Sequence, residues 1–161
     1  MRVVFYYLFG IVLLYVQVLV APAFAFATLL PSFILGFIIY AATRLSLNTT
    51  AILAFLLGLG LDLLYPQTLG LQALALLTVS VPVNRLHEHL NKEKPVNVLL
   101  GILAANIIYI LLFTLYHMAA YPSGLTLWIR VPLSLILNFL LASLEIFIFD
   151  WINRLRLVLY E

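Results

Sequence analysis

The chain has 161 residues, of which 66% are hydrophobic and only 9% charged, and its net charge is +2. A soluble domain carries about a quarter of its residues charged and could not hide this much apolar surface, so the natural solvent of the chain is lipid. The small, scattered positive charge argues against a nucleic-acid footprint, and the absence of Cys excludes disulfides and thiolate metal sites. At about 20 residues per span, the length allows roughly six spans with short loops and leaves no room for a soluble domain.

In chain order, Arg2 precedes an apolar run over 3–20. The run is longer than a signal-peptide core of about 7–15 residues and its basic flank is thin. It is therefore read as a retained first helix, despite Ala-x-Ala-like sites within 21–27. Residues 21–30 are apolar but contain Pro22, which suits an interfacial or re-entrant piece. Pro31 can open a short second helix over 31–43, in a first turn where a missing N–H costs nothing. Asn48, Thr49 and Thr50 offer N-caps to a third helix over 49–64. Pro66 biases Tyr65 away from helix, which makes 65–68 a turn.

A fourth helix begins near Leu69, meets Pro82 and continues as a polar extension to about 90. That extension would be a solvated loop or a docking face for headgroups or a partner, with Glu88 and Lys92 spaced as an i,i+4 pair. His87 and His89 point to different sides of a helix and have no third ligand nearby, so no metal site is expected. Pro95 opens a fifth helix over 95–118, residues 121–124 form a turn, and a sixth helix covers 128–152. The whole chain is then one polytopic domain, an all-α integral membrane protein with six transmembrane helices.

Orientation follows from the basic residues. With a cytoplasmic N-terminus, six spans place Arg2, Arg44, Arg85, Lys92, Lys94, Arg154 and Arg156 inside and only Arg130 outside. Seven of the eight basic residues obey one alternation, which supports both the span count and cytoplasmic termini.

The polar residues within the spans are few. Ser134, Asn138, Ala142 and Glu145 share one face of the sixth helix, and small and polar residues of that kind face other helices in lipid. Glu145 is an intramembrane carboxylate and requires a reason: snorkelling, pairing with Arg44 or Arg85, or a functional contact. Gln17 and Asn106 could join an internal polar network. No nucleophile, base and orienting group fall together, so neither catalysis nor a cofactor is expected.

The remaining question is Asp62, a carboxylate in an apolar helix whose nearest basic neighbours in sequence are Arg44 and Arg85. Gly58 and Gly60 precede it and permit close helix packing. Gly70 follows it at the start of the fourth helix. By the topology, Asp62 and Arg130 lie at the same outer depth, and a pair between them is expected. The alternatives are that Asp62 caps the free N–H groups near Leu69 and Gly70, or that it meets a basic residue of a partner.

The stretch Gly58-Leu-Gly-Leu-Leu-Asp-Leu-Leu64, the turn Tyr65-Pro-Gln-Thr68 and the restart Leu69-Gly-Leu-Gln-Ala-Leu74 resemble the MreD family of rod-shape-determining membrane proteins. Leu30-Pro31, the basic stretch after the fourth helix and Leu137-Asn-Phe-Leu-Leu141 fit as well. Ser32 departs from the acidic residue that the family often carries after the second-helix Pro. The resemblance implies a non-catalytic subunit of the bacterial elongation machinery in the inner membrane, supporting cell shape and lateral peptidoglycan synthesis. It implies binding to MreC and a larger complex with MreB, RodA and penicillin-binding protein 2. It also implies a fold like the substrate-binding subunits of ECF vitamin transporters, which is itself the alternative reading. An integral-membrane enzyme is a third.

Overall fold

The computed structural model describes residues 2–20, 32–64, 70–89, 95–120 and 126–158, with side chains described at 3–20, 32–64, 70–87, 98–119 and 131–151. Six helices follow one another: α1 (Arg2–Val20), α2 (Phe33–Arg44), α3 (Leu47–Leu64), α4 (Leu71–His89), α5 (Pro95–Ala120) and α6 (Thr126–Val158). The described residues are all-helical apart from short joints, as the apolar periodicity and turn residues indicate. Val3–Val20, Leu47–Leu64, Val98–Ala119 and Val131–Trp151 are long and apolar enough to cross a membrane. α2 has only 12 residues, about 18 Å, against a hydrocarbon core of about 30 Å. α4 turns polar at Asn84 and Arg85.

The boundaries differ from the sequence expectation in ways that have local causes. α2 begins after Ser32, whose hydroxyl accepts from Leu35 N, so Ser32 takes the N-cap role and Pro31 precedes the helix. α3 starts at Leu47 rather than 49, held by Thr50 N donating to Ser46 O and by a Ser46–Thr49 hydroxyl contact of 2.8 Å. Pro82 lies inside α4 and α6 continues past 152 to Val158. The turn at 65–68, Pro66 included, falls outside the described residues.

α2 is the centre of the bundle. Every residue from Ile34 to Ala42 is buried, and α1, α3, α4, α5 and α6 all pack against it. Its apolar partners include Leu53, Leu57, Leu76, Val79, Ile102 and Ala142. Around the half that ends at Arg44, Tyr6 and Phe9 of α1, Phe37 and Tyr40 of α2 and Phe149 of α6 form one aromatic cluster, with the Tyr40 and Phe149 rings stacked at 5.0 Å. The outer faces of α1, α3, α5 and α6 expose Leu, Ile, Val and Phe, the surface expected to meet acyl chains.

Burying a short helix along its whole middle creates a specific problem, because terminal N–H and C=O groups drawn in with it must find partners other than water. Long-range side chains supply the partners. At the N-terminus, Ser32 N donates to Asn138 Oδ1 of α6 at 3.1 Å and Phe33 N donates to Gln17 Oε1 of α1 at 2.7 Å. At the C-terminus, Asn84 Nδ2 of α4 donates to Ala42 O at 2.7 Å and Leu45 O at 2.9 Å. Asn138 lies about two turns, roughly 10 Å, inside the Val131 end of its span, so the N-terminus of α2 starts within the membrane thickness.

Interhelical side-chain hydrogen bonds in membranes average about 0.6 kcal/mol and reach about 1.7. These bonds satisfy orphaned backbone groups, so each should lie near the upper end, with about 1–3 kcal/mol lost when a buried group is left unpaired. Asn84→Leu and Asn138→Leu should each lower stability by that amount in detergent-titrated unfolding. The double variant should be near additive, because the two caps are a helix length apart. Wild-type stability in both single variants would remove the caps from the account of the fold.

Candidate functional site

The densest helix contact is between α3 and α4. It is built at the end where Asp62 lies. Gly58 faces the first turn of α4 so closely that any Cβ there would run into the Ala73 backbone, with Ala73 N 2.7 Å from that position. One turn later along α3, Asp62 is 1% exposed, and both its oxygens are engaged: Oδ1 accepts from Gln72 N and Oδ2 from Ala73 N, each at 3.0 Å. The two residues act together. Gly58 lets α4 approach, and the approach brings two free amides of its first turn within reach of the carboxylate, where the helix dipole also favours negative charge.

This is the capping arrangement weighed for Asp62, set slightly deeper in α4 than Leu69 and Gly70. The expected pair with Arg130 involves a side chain outside the described residues. Gly70 has φ +86°, in the left-handed region, and lets the chain turn into α4, with its carbonyl accepting from Leu74 N at 3.1 Å. Gly60 receives the Leu14 side chain of α1. Gln72, from the same first turn, accepts from the Tyr109 hydroxyl of α5 at 2.9 Å, which ties a third helix to the joint.

The polar face of α6 turns inward. Asn138 and Ala142 are buried against α2, while the Ser134 hydroxyl donates to Val131 O of its own helix. Gln17 and Asn106 are buried too, Gln17 as a cap of α2 and Asn106 donating to Ile102 O within α5. Of the options for Glu145, the pair with Arg44 is not formed. Arg44 pairs with Asp150 instead, at 2.6 Å, and lies over the Tyr40 ring, whereas both Glu145 oxygens are buried without a hydrogen-bond partner among the described residues. Asp150 is five residues closer to the polar end of α6, where an exposed pair costs less to desolvate.

Sequence reasoning missed Asn84, Gly36 and Asp150. Asn84 sat inside a stretch read as solvated, and the signal was the Pro82-Val-Asn84 position, still within the helix and two residues after Pro82. Among the described residues there is no group of three His, Asp or Glu side chains placed to hold a metal.

The glycines differ in what a methyl group would meet. Gly58→Ala pushes into α4 backbone and should cost about 1–3 kcal/mol. Gly60→Ala meets only the movable end of Leu14 and should cost less than about 1 kcal/mol. Asp62→Ala orphans two amides and should cost about 2–4 kcal/mol, with Asp62→Asn near half of that. In a double-mutant cycle, Gly58→Ala and Asp62→Ala should fall well short of additive, since displacing α4 already breaks the cap. Additivity would show that the close approach and the cap are independent.

A sequence model of the family described as rod shape-determining protein MreD matches residues 1–155. Neither a curated protein nor a solved structure gave a significant match. The described residues form six helices, four of them apolar and of spanning length, the match covers nearly the entire chain, and the protein is a membrane-embedded member of the MreD family, with a role in rod-shape determination.

Proposed function

We propose that the chain is a non-catalytic scaffold of the bacterial elongation complex. It would bind MreC, sit in one assembly with MreB, RodA and penicillin-binding protein 2, and so support lateral peptidoglycan synthesis. The observation that carries this reading is the family match across residues 1–155. The use of the buried polar groups supports it: Gln17, Asn84, Asn138 and Asp62 are each spent on backbone groups of a neighbouring helix, an investment in a fixed shape. A fold related to ECF substrate-binding subunits belongs to the same proposal. Within it, Gly58, Gly60, Asp62, Pro66 and Gly70 shape the α3–α4 joint, and Asn138 holds α6 on α2.

The membrane is the bacterial inner membrane in this reading, with both termini cytoplasmic, supported by the seven-to-one distribution of basic residues. A single cysteine at Gln67 in this Cys-free chain should react with an impermeant reagent from outside, and a reporter fused after Glu161 should read cytoplasmic. Labelling of Gln67→Cys only after permeabilisation reverses the orientation.

Depletion in a rod-shaped host should give round cells with unchanged vitamin uptake, and MreC should co-purify from native membranes. Rod-shaped cells that become vitamin auxotrophs would instead establish the ECF-type alternative.

A further inference from the structure

Glu145 takes no part in the caps or the joint. Its Oε2 lies directly over Cα of Gly36, where any Cβ would overlap it, and Ala142 Cα is 3.0 Å from the same position. The contact thus sits where the α2 and α6 backbones come close together. The surroundings are apolar: Phe37 follows Gly36 on α2, and Ile146 and Phe149 follow Glu145 on α6.

The titratable and charged groups on the elements around it are few. α2 offers Tyr40 and Arg44, α6 itself Asp150, α4, packed on α2, Arg85 and His87 in its polar half, and α1 Tyr7 and Tyr6, the latter stacked on Tyr40 with ring centroids 6.3 Å apart. Leu99 to Ile108 of α5 contain no titratable side chain. Arg44 is committed to Asp150, and none of these groups hydrogen-bonds Glu145.

A carboxylate anion is disfavoured in such a place, because it has lost water and gained no partner among the described residues. The docked position therefore belongs to the uncharged acid, whose oxygen can lie on a glycine Cα–H. Once ionised, the side chain has to leave Gly36. The polar exit is toward Asp150, five residues and about 7.5 Å along α6, where the guanidinium fork of Arg44 can accept a second carboxylate.

We propose that Glu145 is a proton-operated latch between α2 and α6. With the O–H bond intact, the carboxyl docks on Gly36 and the two helices are at closest approach. When that bond breaks, the proton passes to water at the Arg44 end, the anion swings toward Arg44, and the α2–α6 contact loosens. Asn138 lies on the same face of α6, two turns away, and holds Ser32 N, so the latch acts on the helix pair that also carries an α2 cap.

The test uses the full-length protein in lipid nanodiscs. Infrared spectra at neutral pH should contain a protonated-carboxyl C=O band that Glu145→Gln removes. Gly36→Ala, which evicts the carboxyl, should remove it too. Should Gly36→Ala fail to fold, Glu145→Asp, one methylene too short to reach Gly36, replaces it with the same expectation. Amide exchange in α2 should rise several-fold in the wild type relative to Glu145→Gln as the solution is made alkaline. A spectrum unchanged by Glu145→Gln overturns the proposal. So does a band that survives in Gly36→Ala, or in Glu145→Asp where that variant stands in for it, or an exchange ratio that is flat with pH.

Discussion

A helix too short to cross a bilayer has to present its free backbone ends to something other than lipid, and much of this molecule is arranged around that requirement. α2 is buried along its whole middle, and its two ends are met by Gln17, Ser32 and Asn138 on one side and by Asn84 on the other. These residues come from α1, α4, α6 and the segment just before α2. The hydrophobic effect selects lipid over water for the outer faces but says little about how helices assemble once inside. Small residues and satisfied polar groups decide that, and here they converge on one element.

The α3–α4 joint follows the same rule in a second form. α4 also begins with free amides, and a carboxylate from the preceding helix closes them, made possible by a glycine one turn earlier. An aspartate in this place looks expensive by composition. It is less so once its charge is counted against two amides and a helix dipole, near the end of a span where the cost of desolvation falls. The charged pair at the opposite end, Arg44 with Asp150, is more exposed and contributes correspondingly little to holding α2 against α6.

Much of the architecture was legible in the residues: the six helices of the described segments, the inward face of α6 and the buried polar character of Gln17 and Asn138. The partners of these side chains were not, because they are backbone amides whose need for a partner exists only after α2 is buried. The same reason hid Asn84, which reads as part of a charged tail until Ala42 O and Leu45 O are placed beside it. Asp62 was recognised as significant and a cap on α4 was among the options weighed, but its two acceptor contacts depend on how near Gly58 lets α4 come, which no sequence pattern states. Pairing with Arg44 or Arg85 was one of the options for Glu145, and a sequence does not reveal that Asp150, five residues on, is the better placed partner of Arg44.

The caps of α2 also impose an order in time. The helix leaves the ribosome after Gln17 but before Asn84 and long before Asn138, so when it first reaches the membrane only one of its three distant hydrogen-bonding partners has been made. Its 12 residues are a weak stop for a translocating chain, and its exposed N-terminal amides are poorly suited to lipid. Final seating of the central helix therefore waits for the last one to be synthesised, and biogenesis closes this bundle from its periphery inward.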